Sequence, residues 1–379
     1  MISEFTIQVF DHPDQLSAEW PEAGIKSDTR HTVFQTTTFL RTWLASYGAV
    51  SNGRLCLVEV RSAAGIPVCF LPFVIVSRNG GRMLSFVDDG VSDYNAPILF
   101  AGAPEWTRDL SQQFWNEVVA ALPPFDLAIL DKMPEYVEDQ KNPLFLLTDE
   151  ANGESCHLTN LKRSWADIDQ AQPGSKNLRN RHRALGRLGE CQLLIAQTAQ
   201  ERAFILETLL AQKQRRFEET QVPGFDKEPE KKAFFELGTD NFAAAGALHL
   251  SALVVNGQII AAMWGLIEAK HYYGLVFTFE SGEWSKYSPG RVLHYLLLQH
   301  LVDHGFDCLD LGIGDEPWKL NCCDVTIDLR KATFIRTARG RLMAARLRFM
   351  VWLRATYVWQ KIRPLKWVIL RALRAKPVT

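Results

Sequence analysis

Tyr287–Lys319 reads YSPGRVLHYLLLQHLVDHGFDCLDLGIGDEPWK, and the order of its elements decides the fold. Ser288-Pro289-Gly290 is a tight turn opening an apolar helix that we place at 290–304. Gly305 closes the helix, and the next residues read as a buried strand over 306–312. The strand runs into a loop carrying Asp315, Glu316, Trp318 and Lys319. A helix N-terminus with little side-chain bulk offers unpaired N–H groups and the positive end of the helix dipole, so it suits an anion. Loops held by a rigid scaffold are where chemistry is usually placed.

The same organisation occurs twice. Leu55–Ile75 (LCLVEVRSAAGIPVCFLPFVI) and Leu248–Ile267 (LHLSALVVNGQIIAAMWGLI) each read as strand, Gly-containing turn, strand. Phe125–Leu130 (FDLAIL) mirrors Phe306–Leu311 (FDCLDL), each after a helical segment. Long-period self-similarity of this kind implies two copies of one unit. Around these anchors we read helices at 32–47, 106–121, 175–188 and 199–218. Strands are expected at 55–61, 66–76, 83–87, 125–130, 247–255, 258–267, 270–279 and 329–337, from alternating or continuous apolar runs bounded by turns. LFLLTD (144–149) is a further strand candidate. The order gives an α/β (α+β) fold with mixed sheets. We expect a first unit over 1–150, a second over 155–340, and a basic helical tail over 341–379.

Composition is that of a soluble globular protein, with 47% apolar and 22% charged residues. The N-terminus lacks the basic and apolar regions of a signal peptide. Seven cysteines stand without CxxC or Cys/His ligand spacing, so we expect reduced cytoplasmic thiols and no metal. The net charge of −1 hides an asymmetry. After Asp328 there are 14 Lys and Arg and no acid, which leaves 28 basic against 43 acidic groups in the body. An acidic body argues against a large nucleic-acid footprint.

Three motifs carry a family resemblance. They are GVSDYNAPIL (Gly90–Leu99), SKNLRNRHRALGRL (Ser175–Leu188) and FDCLDLGIGDEPWK (Phe306–Lys319). With strand 270–279 and the turn before helix 290–304, they resemble the GNAT acetyltransferase superfamily, and within it the two-domain CelD-type branch related to the Fem aminoacyl transferases. The resemblance covers about residues 30–340. It implies tandem GNAT-like domains, a working cleft in the second, and acyl transfer to a small-molecule amine. It places the pantetheine of an acyl-CoA, with acetyl-CoA the expected donor, along Tyr273–Phe279, with Phe277, Thr278 and Phe279 in contact. The pyrophosphate then falls on Tyr287–Val292, at Tyr287, Ser288, Gly290, Arg291 and Val292. The family's pyrophosphate loop has more glycines; here one Gly and one Arg remain.

The remaining candidates follow from chemistry. An attacking amine is protonated at neutral pH and must lose a proton, which a carboxylate can take. Asp315, in the loop, is the first candidate base and Asp310, on the strand, the second; a strand Asp can equally make a structural hydrogen bond. Lys319 can hold an anionic group or a developing oxyanion, or be a plain surface lysine. Trp318 is a pocket wall or core. Asp93 and Tyr94 either reach across the interface to the acceptor or form a turn with a buried ring. Arg179 and Arg183 share a helix face with Arg187, which is a phosphate contact or a solvated stripe.

Residues 340–376 hold three Trp and ten Lys/Arg. The segment is too interrupted by Arg to span a bilayer. We expect two short helices around Pro364. They lie on an anionic membrane, anchored by Trp352, Trp359 and Trp367, bind RNA, or pack on the body. The favoured function is transfer of an acyl group to an amine, such as an amino sugar of envelope or exopolysaccharide synthesis. The alternatives are an aminoacyl-tRNA-dependent transferase and a non-catalytic scaffold of a membrane polysaccharide complex.

Overall fold

The computed structural model describes residues 5–356, apart from 52 and 79. Its first half runs β1 (Phe5–Phe10), α1 (Thr37–Ser51), β2 (Arg54–Ser62), β3 (Pro67–Arg78), β4 (Gly81–Phe86), a short β5 (Ile98–Leu99), α2 (Arg108–Ala121) and β6 (Leu127–Pro134). A small ribbon, β7 (Tyr136–Val137) and β8 (Gln140–Lys141), follows. The second half begins with β9 (Cys156–Asn160), α3 (Trp165–Ala171), α4 (Ser175–Gly186), β10 (Cys191–Ile195), α5 (Ala199–Thr220) and α6 (Pro229–Ala244). Then come β11 (Leu248–Val255), β12 (Gln258–Glu268), β13 (His271–Phe279), α7 (Pro289–Asp303), β14 (Cys308–Ile313) and α8 (Pro317–Cys322). The chain ends in β15 (Val325–Ile327), β16 (Leu329–Ile335) and α9 (Ala338–Ala355).

Two mixed sheets result, with the orders β1-β2-β3-β4-β6-β16 and β10-β11-β12-β13-β14-β9-β15. They repeat one topology. Each has an edge strand, an antiparallel hairpin, a third antiparallel strand and then a parallel strand: β4 with β6, and β13 with β14. A helix supplies each crossover, α2 in the first half and α7 in the second, as a parallel connection requires. Local chemistry sets the hairpins. β11 and β12 meet across Asn256-Gly257, both at positive φ (48° and 77°), the two-residue turn that matches strand twist.

The closing strands are exchanged between the halves. β9 follows the first unit in sequence yet pairs antiparallel with β14, and β16 follows the second unit yet pairs antiparallel with β6. The expected assignment of 329–337 to a unit ending at 340 is therefore corrected: that strand completes the first sheet. Alternation in an isolated strand says which face is buried but not which sheet it joins. LFLLTD is also corrected, since Phe145–Leu147 is a single 3₁₀ turn.

The halves share an apolar core. Phe39 of α1 packs edge-on against Phe234 of α6 at 5.4 Å, and Phe34 against Tyr273 of β13 at 5.4 Å. Asn241 of α6 donates to the Thr42 hydroxyl of α1 at 2.9 Å. On the outer side, α9 lies on the first sheet, with Met343 and Ala344 buried against Leu127. Thr337 caps α9 and also donates to Asp126, so the tail helix is tied to β6 at its start. Beyond residue 356 the expected second helix, Pro364, Trp359 and Trp367 lie outside the described residues. Among the described residues no helix is long and apolar enough to cross a membrane.

Candidate active site

The site forms where β13 and β14 part. Their parallel ladder holds only at His271↔Cys308, Tyr272↔Leu309 and Tyr273↔Asp310. Beyond it β13 carries an irregularity opposite Trp264/Gly265. A bulge bends its strand and ends regular pairing. Residues 275–279 thus present a backbone edge that β14 does not cover, on which an extended ligand can pair.

A cavity of about 610 Å³ lies beside that edge. Phe277 and Phe279 of β13, Ser288, Gly290 and Arg291 of the following turn and helix, and Trp318 of α8 all line it. Six residues named from sequence thereby come together. Gly290 is small for a local reason: a Cβ there would stand 3.0 Å from the Phe279 ring and 3.1 Å from that of Phe277. The Arg291 guanidinium is exposed and donates to the Pro173 carbonyl, 2.5 Å away. Three residues expected beside them present their side chains elsewhere. Thr278 donates to the Ala262 carbonyl at 3.4 Å, Tyr287 packs near Trp284, and Val292 is fully buried in the core.

The opposite side is built by the first half. Tyr94, on the loop after β4, donates its hydroxyl to Asp310 Oδ2 at 2.7 Å. His271 Nε2 meets the same oxygen at 3.1 Å, and the Gly312 N–H donates to Oδ1 at 2.8 Å. Asp310 is fully buried with both oxygens engaged, which suits a carboxylate that orients its neighbours. Asp93 lies against Gly312, where a Cβ would come within 2.1 Å of its Oδ2. Gly312 has φ +67°, a conformation that also favours glycine. Burial, then the nearby Asp310 charge, push the Asp93 carboxyl up to about 7, partly opposed by Lys132 and Lys319.

Asp315 stands differently. It is half-exposed and accepts from His157 Nε2 at 2.9 Å and from the Ser155 N–H at 3.2 Å. Those hydrogen bonds lower its pKa. Lys319 is 7% exposed; it donates to the Ile313 carbonyl at 2.7 Å and pairs with Glu316 at 3.1 Å, so its amine is spent closing the loop. Arg179 is tied to Asp169 and Tyr295, and Arg183 hydrogen bonds Asn180 on the α4 surface. It is Arg181, off the sequence stripe, that reaches the Ser288 hydroxyl at the cavity mouth.

Sequence reasoning passed over three side chains here. Arg181 is one basic residue among many on α4, and spacing gives it no distinction. His294 lines the 610 Å³ cavity from α7 at 5% exposure. A histidine one turn past Gly290, on the apolar side of a buried helix, was a signal open to reading. His271 opens β13, and only its pairing with Asp310, 39 residues on, singles it out. Among the described residues no group of three or more His, Cys, Asp or Glu could hold a metal ion.

Residues 174–320 match the family model of the acetyltransferase (GNAT) domain. The chain is similar in fold to FemX, with 10% identity, 83% of this chain and 94% of that one covered, and a TM-score of 0.54. It is similar also to a conserved protein of unknown function from Bacteroides thetaiotaomicron, at 12% identity, 87% and 100% coverage and a TM-score of 0.53. A tandem GNAT protein from the clavulanic acid biosynthesis pathway matches at 10% identity, 87% and 98% coverage and a TM-score of 0.46. No curated protein matches the sequence at a significant level. That match defines residues 174–320 as an acetyltransferase (GNAT) domain. In fold the whole chain is similar to FemX, and the matched domain is the half that holds the parted strands and the cavity beside them.

Proposed function

We propose that the protein moves an acyl group from acyl-CoA to a small amine by direct attack, with Asp93 as general base. The donor lies along the β13 edge, with its phosphates at the α7 N-terminus near Arg181 and Arg291. One observation carries the reading: the first half sets Asp93 against Gly312, on the part of β14 that has already left β13. A carboxyl near 7 is half-ionised at neutral pH and is the stronger base of the candidates. The ammonium first gives one proton to Asp93, and the neutral nitrogen then attacks the thioester carbon. The C–S bond breaks as the nitrogen's second proton passes to the leaving CoA thiolate, and Asp93 returns its proton to solvent. Asp315, held acidic by His157, is poorly suited to that step.

The acceptor reading rests on a second cavity, of about 960 Å³, bordered by Tyr94 from the first half and His271 and Tyr273 from the second. Glu135, Glu138, Glu154 and Asp328 stand on its wall against the guanidinium of Arg330. Excess negative charge concentrates a cationic amine, and the volume admits a single amino sugar. Calorimetry tests the donor: acetyl-CoA should bind at micromolar concentrations and uncharged tRNA should not. Binding of tRNA alone would favour the aminoacyl-tRNA reading instead.

Peripheral association with an anionic membrane is proposed on separate grounds. At the end of α9, Phe349, Val351 and Trp352 are 56%, 68% and 61% exposed among arginines. A basic, aromatic helix face is suited to an anionic lipid surface. The seven cysteines are all free, in keeping with a reducing cytoplasmic site of action.

A further inference from the structure

His294 lies 5% exposed in α7, and its Nε2 has no hydrogen-bond partner. Buried ring nitrogens are normally satisfied, and an unmet one is destabilising. The imidazole is not sealed in the core. It lines the 610 Å³ cavity, edge-on to Trp318 at 6.3 Å with an interplanar angle of 82°. The cavity is graded along α7. Its mouth has the Arg291 guanidinium and the Ser288 hydroxyl that Arg181 reaches. His294 follows Gly290 one turn along α7, about 6 Å on the helix axis, and Leu178, Phe277 and Trp318 are among the apolar residues lining the same cavity. There His294 Nε2 is the buried polar atom left open. An anion fits the mouth; an apolar chain bearing one neutral polar group fits the interior.

We propose that His294 is the specificity residue for the pantetheine arm of the donor, its Nε2 hydrogen bonding an amide of that arm. This rests on the acyl-CoA reading above and goes beyond it by assigning the interior of the cavity. Burial, with Arg291 nearby, lowers the imidazole to about 4, so it stays neutral at pH 7. A neutral ring nitrogen can donate to an amide carbonyl or accept from an amide N–H, whereas a cation there would favour phosphate.

The test compares two probes on the full chain by calorimetry. CoA carries the pantetheine arm; adenosine 3′,5′-bisphosphate has the nucleotide phosphates and lacks the arm. His294→Leu should bind CoA about tenfold more weakly, the loss of one hydrogen bond, and adenosine 3′,5′-bisphosphate as the wild type does. His294→Gln, which keeps a donor and an acceptor, should recover most of the CoA affinity. In the wild type, the His294 ring ¹⁵N resonances should move on adding CoA and stay in place with the bisphosphate, a reading that needs no variant. Unchanged CoA affinity in His294→Leu, equal weakening of both probes, or ¹⁵N shifts identical for both, would overturn the proposal. If the wild type binds neither probe, it is the acyl-CoA reading that falls.

Discussion

Asp93 and Asp315 are both aspartates near the β14 loop, and their surroundings separate them. Asp315 has a histidine and a backbone N–H as partners and faces solvent, which stabilises its charge. Asp93 is crowded against Gly312 and shares its region with the buried Asp310. The sign for stability follows. A carboxyl raised to about 7 keeps its proton in the folded state where the unfolded chain, near the ordinary 3.8, has lost it. Its contribution therefore weakens stability as pH rises from about 4 to 7 and is level above that. Asp93→Asn should remove that slope, seen as a melting temperature less dependent on pH over this window. Gly312→Ala is the complementary change. Its Cβ would enter the space of Asp93 and hold an unfavourable φ, at about 1–2 kcal/mol for the backbone alone. We expect turnover to fall at least tenfold with CoA affinity kept, measured by steady-state kinetics beside calorimetry. Retained turnover would place Asp93 outside the reaction.

At the scale of elements, the turn–helix–strand run from Ser288 to Ile313 was legible because each part has its own local cause. Ser288 takes a left-handed conformation, Pro289 starts α7, Gly305 at φ +72° ends it, and a buried apolar strand follows. The hairpins were legible from their turns for the same reason. What stayed hidden depends on distant partners. The open edge of β13 exists because β14 leaves it after Asp310, and no local pattern encodes that divergence. Helix α6 went unread although Pro229 at its first turn and Phe234, Phe235 and Phe242 on its buried side announce it. Arg181 was missed because an arginine's target lies wherever tertiary structure puts it, here Ser288. Paired Arg181→Ala and Arg291→Ala substitutions should weaken CoA binding by about 1.5–3 kcal/mol per lost charged hydrogen bond. The loss should be greater at low salt, where screening is weak. Calorimetry at two ionic strengths reads it, and unchanged affinity would move the phosphates elsewhere.

At the scale of the molecule, the exchange of β9 and β16 makes each half finish the other's sheet. A chain ending at Asp328 would leave β6 with a bare edge, which invites aggregation; one ending at Gly340 keeps β16 but uncovers Leu127 and its neighbours beneath α9. We expect the first to be insoluble and the second to fold with a lower melting temperature. Sedimentation with anionic vesicles at low salt should bring down the full chain and leave the chain ending at Gly340 in solution. Equal behaviour of the two would make the tail purely structural. The exchange also explains how a residue of the first half comes to stand at the cleft of the second, where the chemistry is assigned to Asp93. That assignment is tested most directly by the pH dependence of kcat for acetyl transfer from acetyl-CoA to glucosamine, in the wild type, Asp93→Asn and Asp315→Asn. The wild-type rate should rise through about pH 7. Asp93→Asn should lower it by about 10²–10⁴ and abolish the rise, while Asp315→Asn keeps both the rise and most of the rate. A profile that persists in Asp93→Asn and disappears in Asp315→Asn would contradict the account.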